Sequence, residues 1–295
     1  MRKRLSILVC TYNDRIKDVP ALLLPPRPDV CYVVSFQFSA SMFLDMIPPE
    51  LKERPDVKLC PLPNTGLSAN RNNALRHCET ELALIADDDL RYTNAQLDMV
   101  IEYFTQHPEV DVACFQAVDF DGTPMKTYPP KSFDYEDRPK GSSFSSWEIA
   151  FRADAPLPAF DTRFGLGAVY LCCGEEEIFI HQAHHLGARV RYVPQVLCTV
   201  TMRETTGTRF LLDAKVRRSK GAVLYMMHGV LGALLRITKV ALQLPSTARR
   251  WAAWKDMFDG IHYILNNPLN EGVADEIPLQ FDPIDHWNTP NVTMS

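Results

Sequence analysis

Residues 82–89 read Leu82-Ala83-Leu84-Ile85-Ala86-Asp87-Asp88-Asp89, an apolar run that ends in three consecutive aspartates. The run has the length and composition of a buried strand, so the three carboxylates are expected to gather at its end. Like charges this close repel, and a cation or a set of hydrogen-bond donors must compensate them. The triplet therefore indicates a site for a hard divalent cation, Mg²⁺ or Mn²⁺, with an acidic turn that caps the next helix as the alternative.

Apolar runs of strand length alternate along the chain with segments of helical spacing. The strand candidates are residues 5–10, 30–36, 57–59, 82–86 and 112–116. A capping box opens a helix at Thr93 that ends before Pro108, and Ser68 is the predicted N-cap of a helix over residues 68–77. This alternation predicts an α/β fold with a Rossmann-like, mostly parallel sheet flanked by helices.

Ligands bind beyond the carboxyl ends of the strands in sheets of this kind. The polar residues after the first strand, Thr11-Tyr12-Asn13, should therefore share one crevice with the aspartates. Residues 119–146 are rich in proline, glycine and serine, which predicts a lid or a binding loop. A strand over residues 146–152 follows, and then a helix from Glu175 to about Leu186 that Gly187 stops.

Composition narrows the class of protein. The chain has 295 residues, a net charge of −5 and a pI near 5.9, so no general basic field is available for nucleic acid. Its eight cysteines include no CxxC pair and are expected to be free thiols, which fits a reducing cytoplasm. The protein is therefore expected in the cytoplasm, at the inner face of the cytoplasmic membrane, without a nucleic-acid partner.

An ordered series of motifs between about residues 5 and 206 resembles glycosyltransferase family 2. The motifs are Thr11-Tyr12-Asn13, Asn64-Thr65-Gly66-Leu67-Ser68-Ala69-Asn70-Arg71-Asn72, Asp87-Asp88-Asp89, Phe160-Asp161 and Gly174-Glu175-Glu176. The resemblance implies the GT-A fold, a nucleotide-sugar donor, most simply a UDP-sugar, and Mn²⁺ or Mg²⁺. Further segments, residues 148–152 and 164–168, resemble bacterial members that build surface polysaccharides.

The resemblance also implies roles for the residues of the donor side. Thr11, Tyr12, Asn13 and Asn64 match the segments around the base and ribose, and Gln37 stands where the family has an acid that holds the base. Arg71 would meet the base or the diphosphate. Asp87 would contact the donor, and Asp88 and Asp89 would hold the metal. The histidine that many members place after the last strand is missing from residues 199–206, which leaves the third metal ligand unidentified.

On the acceptor side the resemblance makes Glu176 the catalytic base and Glu175 its partner acid. Helix capping is the alternative role for these glutamates, since the macrodipole favours carboxylates at a helix start. Asp161 and Glu148 are predicted to bind the acceptor, a glycan or a lipid-linked sugar. The processive-synthase motif Gln-x-x-Arg-Trp is absent, which favours addition of a single sugar over polymerisation. With Glu176 as general base on the side opposite the departing diphosphate, a single inverting displacement is expected.

The predicted domains are a GT-A catalytic domain at 1–207 and a helical appendage with a tail at 208–295. The catalytic domain divides into a nucleotide-sugar half, about 1–118, and an acceptor half, 119–207. Residues 208–265 are apolar and basic, which predicts contact with a membrane surface or a homodimer, or packing on the catalytic domain. A catalytically decayed nucleotide-binding protein and a sugar-phosphate nucleotidyltransferase remain the alternative functions.

Overall fold

A mixed β-sheet forms the body of the molecule in this computed structural model, which describes residues 3–201 and 206–269. Within those residues the sheet has nine strands, arranged in the order β3-β2-β1-β4-β8-β6-β9-β5, with β7 paired to β9. The strands are β1 (Leu5–Tyr12), β2 (Val30–Gln37), β3 (Val57–Leu62), β4 (Leu82–Asp87), β5 (Leu90–Arg91), β6 (Val112–Val118), β7 (Phe133–Asp134), β8 (Ile149–Arg152) and β9 (Val190–Val200).

Helices cover both faces of the sheet and extend beyond it. They are α1 (Pro49–Glu53), α2 (Leu67–Arg76), α3 (Asn94–Gln106), α4 (Glu175–His185), α5 (Ala214–Leu242) and α6 (Thr247–Asn266). Short 3-10 segments occupy Asn13–Leu22, Ser41–Met46, Tyr135–Asp137, Ser146–Glu148 and Thr206–Leu211. The predicted α/β class with helices after the sheet is confirmed.

Strand direction brings the polar strand ends together. β1 pairs in parallel with β2 and β4, and β2 pairs in parallel with β3. β8 is antiparallel to both β4 and β6, so β6 and its parallel neighbour β9 run in the same direction as β4. The ends of β1, β4 and β6 therefore lie at one edge of the sheet, where β8 begins.

The apolar core lies in two layers, one on each face of the sheet. Phe104 of α3 and Phe115 belong to one layer, and Phe151 and Phe179 of α4 belong to the other. The alternation of side chains along each strand supplies both layers from the same segments. This double burial is why the strands are near-continuous apolar runs.

Two local predictions are wrong. The strand predicted for residues 146–152 begins only at Ile149, because Ser145 and Glu148 form a capping box around the short 3-10 turn Ser146–Glu148. Helix α2 has Gly66, with φ of 110°, at its N-cap position in place of Ser68. The hydroxyl of Ser68 donates to the Phe164 carbonyl at 2.7 Å instead.

Helices α5 and α6 form an antiparallel hairpin whose backbones touch at two glycines. A Cβ added to Gly221 would lie 1.8 Å from the Met257 carbonyl oxygen, and one added to Gly260 would lie 1.9 Å from the Arg218 carbonyl oxygen. Only a residue without a side chain allows this approach. The hairpin also has an apolar core of its own, with Ala233, Ile237 and Met257 fully buried.

Helix α5 is long and apolar enough to span a membrane by length and composition, and a third of its most apolar window is buried in the protein. Gly229 interrupts it with a non-helical backbone conformation, φ 67° and ψ −179°. The acidic tail from residue 270, the last part of the predicted 208–295 extension, lies outside the described residues. The division at residue 207 stays a prediction.

Substitution of Gly260 by alanine should loosen the hairpin. The added methyl group cannot fit 1.9 Å from a backbone oxygen, so the helices must separate. The overpacking should exceed the helix-propensity gain of alanine and lower the free energy of unfolding by about 2 kcal/mol. Thermal unfolding followed by circular dichroism measures the loss. Ala252→Ser, on the exposed side of the same helix, is the control and should change the melting temperature little.

Candidate active site

The segment after β1 turns sharply at the crevice edge. Asn13 has a left-handed backbone, φ 52°, which asparagine tolerates better than most residues. Its Oδ1 accepts from the Ser39 backbone N–H at 2.9 Å and so ties the end of β1 to the segment after β2. Thr11 is buried, whereas Tyr12 is 38% exposed. The predicted Thr11-Tyr12-Asn13 segment thus lies at the carboxyl edge beside β4.

Three asparagines join helix α2 to β1, β2 and the segment at Phe160, and two of them, Asn70 and Asn73, are buried. Asn70 donates to the Thr11 carbonyl at 3.0 Å, and Asn73 donates to the Ser35 hydroxyl at 2.8 Å. Asn72 exchanges two hydrogen bonds with the backbone of Phe160, at 2.9 and 2.7 Å. Asn70 and Asn72 thereby supply hydrogen-bond partners to backbone groups that would otherwise lack them. The polar composition of this motif therefore has a structural cause.

A second loop closes against the start of α2. The Leu67 N–H donates to the Leu166 carbonyl at 2.8 Å. A Cβ on Gly167 would lie 3.0 Å from the Gly66 nitrogen, so two glycine-containing loops meet backbone to backbone. Residues 164–168 are held in this way beside the Gly66 turn.

Arg71 occupies the centre of the site and is 3% exposed. Its Nη1 donates to Glu175 Oε1 at 2.7 Å, and its Nη2 donates to the Ser146 hydroxyl at 2.7 Å and to Asp87 Oδ1 at 3.3 Å. One guanidinium therefore links α2, the end of β4, the turn before β8 and the start of α4. Removing either partner of a buried pair costs about 3–5 kcal/mol, because the remaining charge loses its compensation.

The aspartate triplet is split between two arginines. Asp87 faces Arg71, whereas the buried Asp88 accepts from Arg15 Nε at 2.9 and 3.0 Å and from Arg15 Nη2. The same Nη2 lies 3.5 Å from Asp89 Oδ2. Burial raises the pKa of Asp88, and burial together with the charges of Asp87 and Asp88 raises the pKa of Asp89.

Sequence analysis missed Arg15. Its only signal is a cation four residues beyond Thr11, on a segment predicted to share a crevice with three carboxylates. The exposed side of Arg15 reaches solvent, so its pairing with Asp88 is a surface-accessible contact on a buried acid.

Gln37 and Asn64 hold backbone near the Gly66 turn. Gln37 is 2% exposed, and its Nε2 donates to the Gly66 carbonyl at 3.1 Å. An ionised carboxylate at this position could not make that bond, because it only accepts. Asn64 is half-buried and its Oδ1 accepts from the Thr65 N–H at 2.7 Å. Their predicted contacts with a nucleotide stay predictions.

The three glutamates that open α4 have different surroundings. Glu175 faces Arg71. Glu177 accepts from Arg138 Nη1 at 2.9 Å and from the Phe144 N–H at 3.0 Å, which fixes the long loop to α4. Glu176 Oε2 is buried without a hydrogen-bond partner in the described part of the chain. Burial first, and then the charge of Glu175, raise the pKa of Glu176 well above 4.5.

Unpartnered buried polar atoms gather around this point. They are Arg71 Nε, Glu175 Oε2 and Glu176 Oε2, none of which has a hydrogen-bond partner among the described residues. Buried polar atoms are nearly always satisfied in folded proteins, and exceptions at a crevice suit a ligand or ordered water. The geometry is thus compatible with proton transfer at Glu176 and anion binding beside Arg71.

The two predicted acceptor residues are occupied by protein contacts. Glu148 is fully buried and accepts from Tyr128 at 2.6 Å and Lys126 at 2.8 Å. Asp161, 3% exposed, accepts from Arg163 Nε at 2.9 Å. Both carboxylates therefore have a structural use, and their contact with an acceptor stays a prediction.

The long loop encloses a cavity beside this network. The cavity has a volume of about 220 Å³ and is lined by Lys126, Tyr128, Phe133, Phe144, Glu148 and Tyr192, among others. It lies under residues 126–144 of the predicted lid or binding loop and does not include the aspartates among its lining residues. That this loop acts as a lid or a binding loop stays a prediction.

No group of three His, Cys, Asp or Glu side chains suited to a metal ion occurs in the described ranges, residues 3–201 and 206–269. The expected place of the third ligand follows Val200, which pairs with Leu90 directly after the aspartates. Of residues 199–206, where that ligand was sought, residues 202–205 lie outside the described ranges.

Replacing Glu176 by glutamine should change how stability depends on pH. The folded-state pKa of Glu176 is raised above its usual value of 4.5, so the folded wild type holds this proton to higher pH than the unfolded chain does. Wild-type stability relative to Glu176→Gln should therefore fall as pH rises above about 4.5, with a slope of up to about 1.4 kcal/mol per pH unit. Urea unfolding at several pH values measures the difference.

The exposed Glu53→Gln variant is the control for that series, because it removes a carboxyl that solvent reaches in the folded chain. A difference between wild type and Glu176→Gln that does not change with pH would contradict the burial of the Glu176 carboxyl.

Comparison with known proteins finds solved structures of similar fold. S. aureus TarS 1–349 in complex with UDP-GlcNAc superposes with a TM-score of 0.55 at 17% identity, over 88% of this chain and 81% of that chain. Its complex with UDP gives 0.53 at 16% identity, with the same coverage of 88% and 81%. At such identity the likeness concerns the fold, and it confirms the GT-A fold. No curated protein sequence matches the chain.

A family model described as Glycosyl transferase family 2 matches residues 6–153, half of the 295-residue chain. The matched region runs from β1 through β8 and contains Arg71 and the aspartate triplet. The resemblance carried by the motifs is therefore confirmed. The chain belongs to glycosyl transferase family 2 and is a glycosyltransferase.

Proposed function

We propose that the protein transfers one sugar, with inversion, from a nucleotide-sugar donor to a glycan or lipid-linked acceptor, and that a divalent cation assists. The observation that carries the proposal is the Arg71 bridge from Asp87 to Glu175, which brings the end of β4 and the start of α4 to one point. Donor-side acids and an unpartnered Glu176 oxygen thereby belong to the same buried cluster.

The donor is proposed to lie along the ends of β1 and β4. Tyr12 offers an exposed ring for a nucleobase, and the backbone around the Asn13 turn offers polar groups for the ribose. Arg71 Nε is a cationic donor without a partner among the described residues, as a diphosphate requires. The fold neighbour TarS is known in complex with UDP-GlcNAc, which makes a UDP-sugar the first donor to test.

The proposed metal ligands are Asp88 and Asp89. One nitrogen of Arg15 contacts both carboxylates, so a positive charge already sits where the two acids converge. Hard carboxylate oxygens suit Mn²⁺ or Mg²⁺. A bound ion would supply positive charge that balances the departing nucleoside diphosphate. Arg15, whose side chain is 45% exposed, would have to share or leave Asp88.

Glu176 is proposed as the general base. Its carboxylate would take the proton from the acceptor hydroxyl while that oxygen bonds to the anomeric carbon and the bond to the diphosphate breaks on the opposite face. A carboxyl with a raised pKa is a stronger base near neutral pH than an ordinary glutamate. Glu175 would keep Arg71 in place, and Glu177 would hold the loop over residues 138–144.

One observation favours a second candidate function, a nucleotide-binding protein that has lost metal-dependent turnover. Asp88, a proposed metal ligand, is fully engaged by Arg15 in the described structure. In such a protein Arg15 would replace the cation permanently. The role in bacterial surface polysaccharide synthesis and the place at the inner face of the cytoplasmic membrane belong to the first candidate.

Loss of Arg15 should separate the two candidates. Arg15→Ala leaves Asp88, whose side chain is 3% exposed, without its cation and should lower the free energy of unfolding by about 3 kcal/mol. If the aspartates bind metal, saturating Mn²⁺ should restore about 2–3 kcal/mol, because the ion binds only the folded state. Thermal unfolding with and without Mn²⁺ measures both effects.

Arg54→Ala is the matched control, because Arg54 pairs with Asp56, whose side chain is also 3% exposed. That variant should lose similar stability and gain nothing specific from Mn²⁺. Equal responses of the two variants to Mn²⁺ would argue against a metal at Asp88.

Glu176→Gln should abolish most sugar transfer while donor binding persists. Loss of a general base lowers the turnover number about 10²–10⁴-fold. A panel of nucleotide sugars, scored by release of nucleoside diphosphate, identifies the donor and the wild-type rate, and calorimetry with UDP and Mn²⁺ measures binding. Glu53→Gln is the control. Normal transfer by Glu176→Gln would refute the base assignment, and donor binding without turnover in the wild type would favour the decayed protein.

A further inference from the structure

An apolar face runs along the outer side of the C-terminal hairpin. We define the hairpin face as Leu231, Leu235 and Leu242 of α5 with Trp251, Trp254 and Phe258 of α6. Leu231 is 79% exposed, Leu235 is 75% exposed and Trp251 is 66% exposed. The three leucines follow at spacings of four and seven, so they lie on one side of α5. Ala233, Ile237 and Ala241 on the other side are buried in the hairpin core.

The aromatic residues of α6 continue this face. Trp251 stacks on Trp254 with ring centroids 5.7 Å apart, and Trp254 stacks on Phe258 at 5.2 Å. Trp254 Nε1 donates to the Thr238 hydroxyl at 3.0 Å, between the positions of Leu235 and Leu242. The leucine row and the aromatic row therefore form one continuous surface.

The charge of the hairpin is opposite to that of the whole chain. The chain has 36 acidic and 31 basic residues. Helix α5 has no acidic residue, and α6 has two, one of which, Asp256, pairs with Arg217 at 2.7 Å. The cations of the two helices are Lys215, Arg217, Arg218, Lys220, Arg236, Lys239, Arg249, Arg250 and Lys255.

Several of these cations border the hairpin face. Arg236, Lys239, Arg249 and Lys255 are exposed, and within residues 206–269 no carboxylate pairs with them. Exposed leucines, stacked tryptophans and flanking cations are the combination that binds the interface of an anionic bilayer. A second copy of the chain would bring like charges together across the same face, which disfavours a dimer.

We propose that the hairpin face docks on the surface of an anionic phospholipid bilayer. The leucines would enter the boundary between headgroups and acyl chains, the tryptophans would lie at headgroup level, and the cations would meet lipid phosphates. The proposal does not depend on sugar transfer, because it concerns a surface outside the candidate active site.

The hairpin is packed firmly on the catalytic domain, so docking would also orient the active site. The Cys172 N–H donates to the Ser219 hydroxyl of α5 at 2.8 Å. A Cβ on Gly174, the residue that precedes α4, would lie 2.5 Å from Val223 Cγ2 of α5. The helix that carries Glu176 therefore begins directly at a contact with the proposed membrane element.

Vesicle sedimentation with the full chain tests the proposal. The protein should sediment with vesicles that contain about 30% phosphatidylglycerol in phosphatidylcholine and much less with phosphatidylcholine alone. Leu231→Ser with Leu235→Ser should weaken binding at least about tenfold, because both side chains leave the apolar boundary. Arg236→Gln with Lys239→Gln should weaken it about 25-fold, on the basis of about fivefold per charge.

Leu186→Ser and Lys131→Gln, both at exposed positions outside the hairpin, are the matched controls and should bind as wild type does. Circular dichroism verifies that every variant is folded, and UDP binding by calorimetry reports the catalytic domain separately. The proposal would be overturned if vesicle binding were equally strong with and without phosphatidylglycerol. It would also be overturned if both double variants bound vesicles as strongly as wild type. A different result would also overturn it: a wild-type protein that does not bind vesicles and is a dimer in analytical ultracentrifugation, while the variant with Leu231→Ser and Leu235→Ser is a monomer.

Discussion

The buried guanidinium of Arg71 holds the candidate active site together. It is compensated by Glu175 and Asp87 and fixed by the Ser146 hydroxyl, so four segments that are far apart in sequence meet at one group. A cation this deeply buried is tolerated only while its acidic partners stay in place. Its position in turn sets the distance between the strand that ends in aspartates and the helix that begins with glutamates. Because Glu175 Oε1 accepts from Arg71, the carboxylate oxygens without a described partner at the start of α4 are Glu175 Oε2 and Glu176 Oε2.

The strands and the main helices could be predicted because their evidence is local. Apolar runs such as residues 82–86 and the capping box at Thr93 depend on neighbours in sequence, and both occur in the structure. The N-cap of α2 could not be predicted in the same way. Ser68 has the residue type of a cap, but its hydroxyl donates to a carbonyl 96 residues away, and Gly66 takes the cap position because only its left-handed backbone fits the turn.

The site shows the same division between local and distant information. The positions of the aspartates and glutamates were evident from the motifs, and the family resemblance implied a role for each, but three adjacent like residues do not show which partner each one binds. Those partners lie elsewhere in the sequence. Arg15 pairs with Asp88, Arg71 pairs with Asp87 and Glu175, and Arg138 pairs with Glu177. Glu148 and Asp161 illustrate the converse, since an acid that suits a ligand equally suits a buried network with Lys126 or Arg163. Gln37 stands where the family has an acid because its side chain must donate to the Gly66 carbonyl, which an ionised carboxylate cannot do.

The break at Gly229 limits what helix α5 can do. It divides the 29-residue helix into two rods, residues 214–228 and 230–242, of about 22 Å and 20 Å at the usual rise per residue. Neither rod matches the roughly 30 Å thickness of a hydrocarbon core. The first rod is held by the catalytic domain, while the second carries the exposed leucines. Any association of α5 with lipid is thereby confined to a single leaflet. The enzyme could then dissociate from the bilayer without withdrawing a membrane-spanning helix.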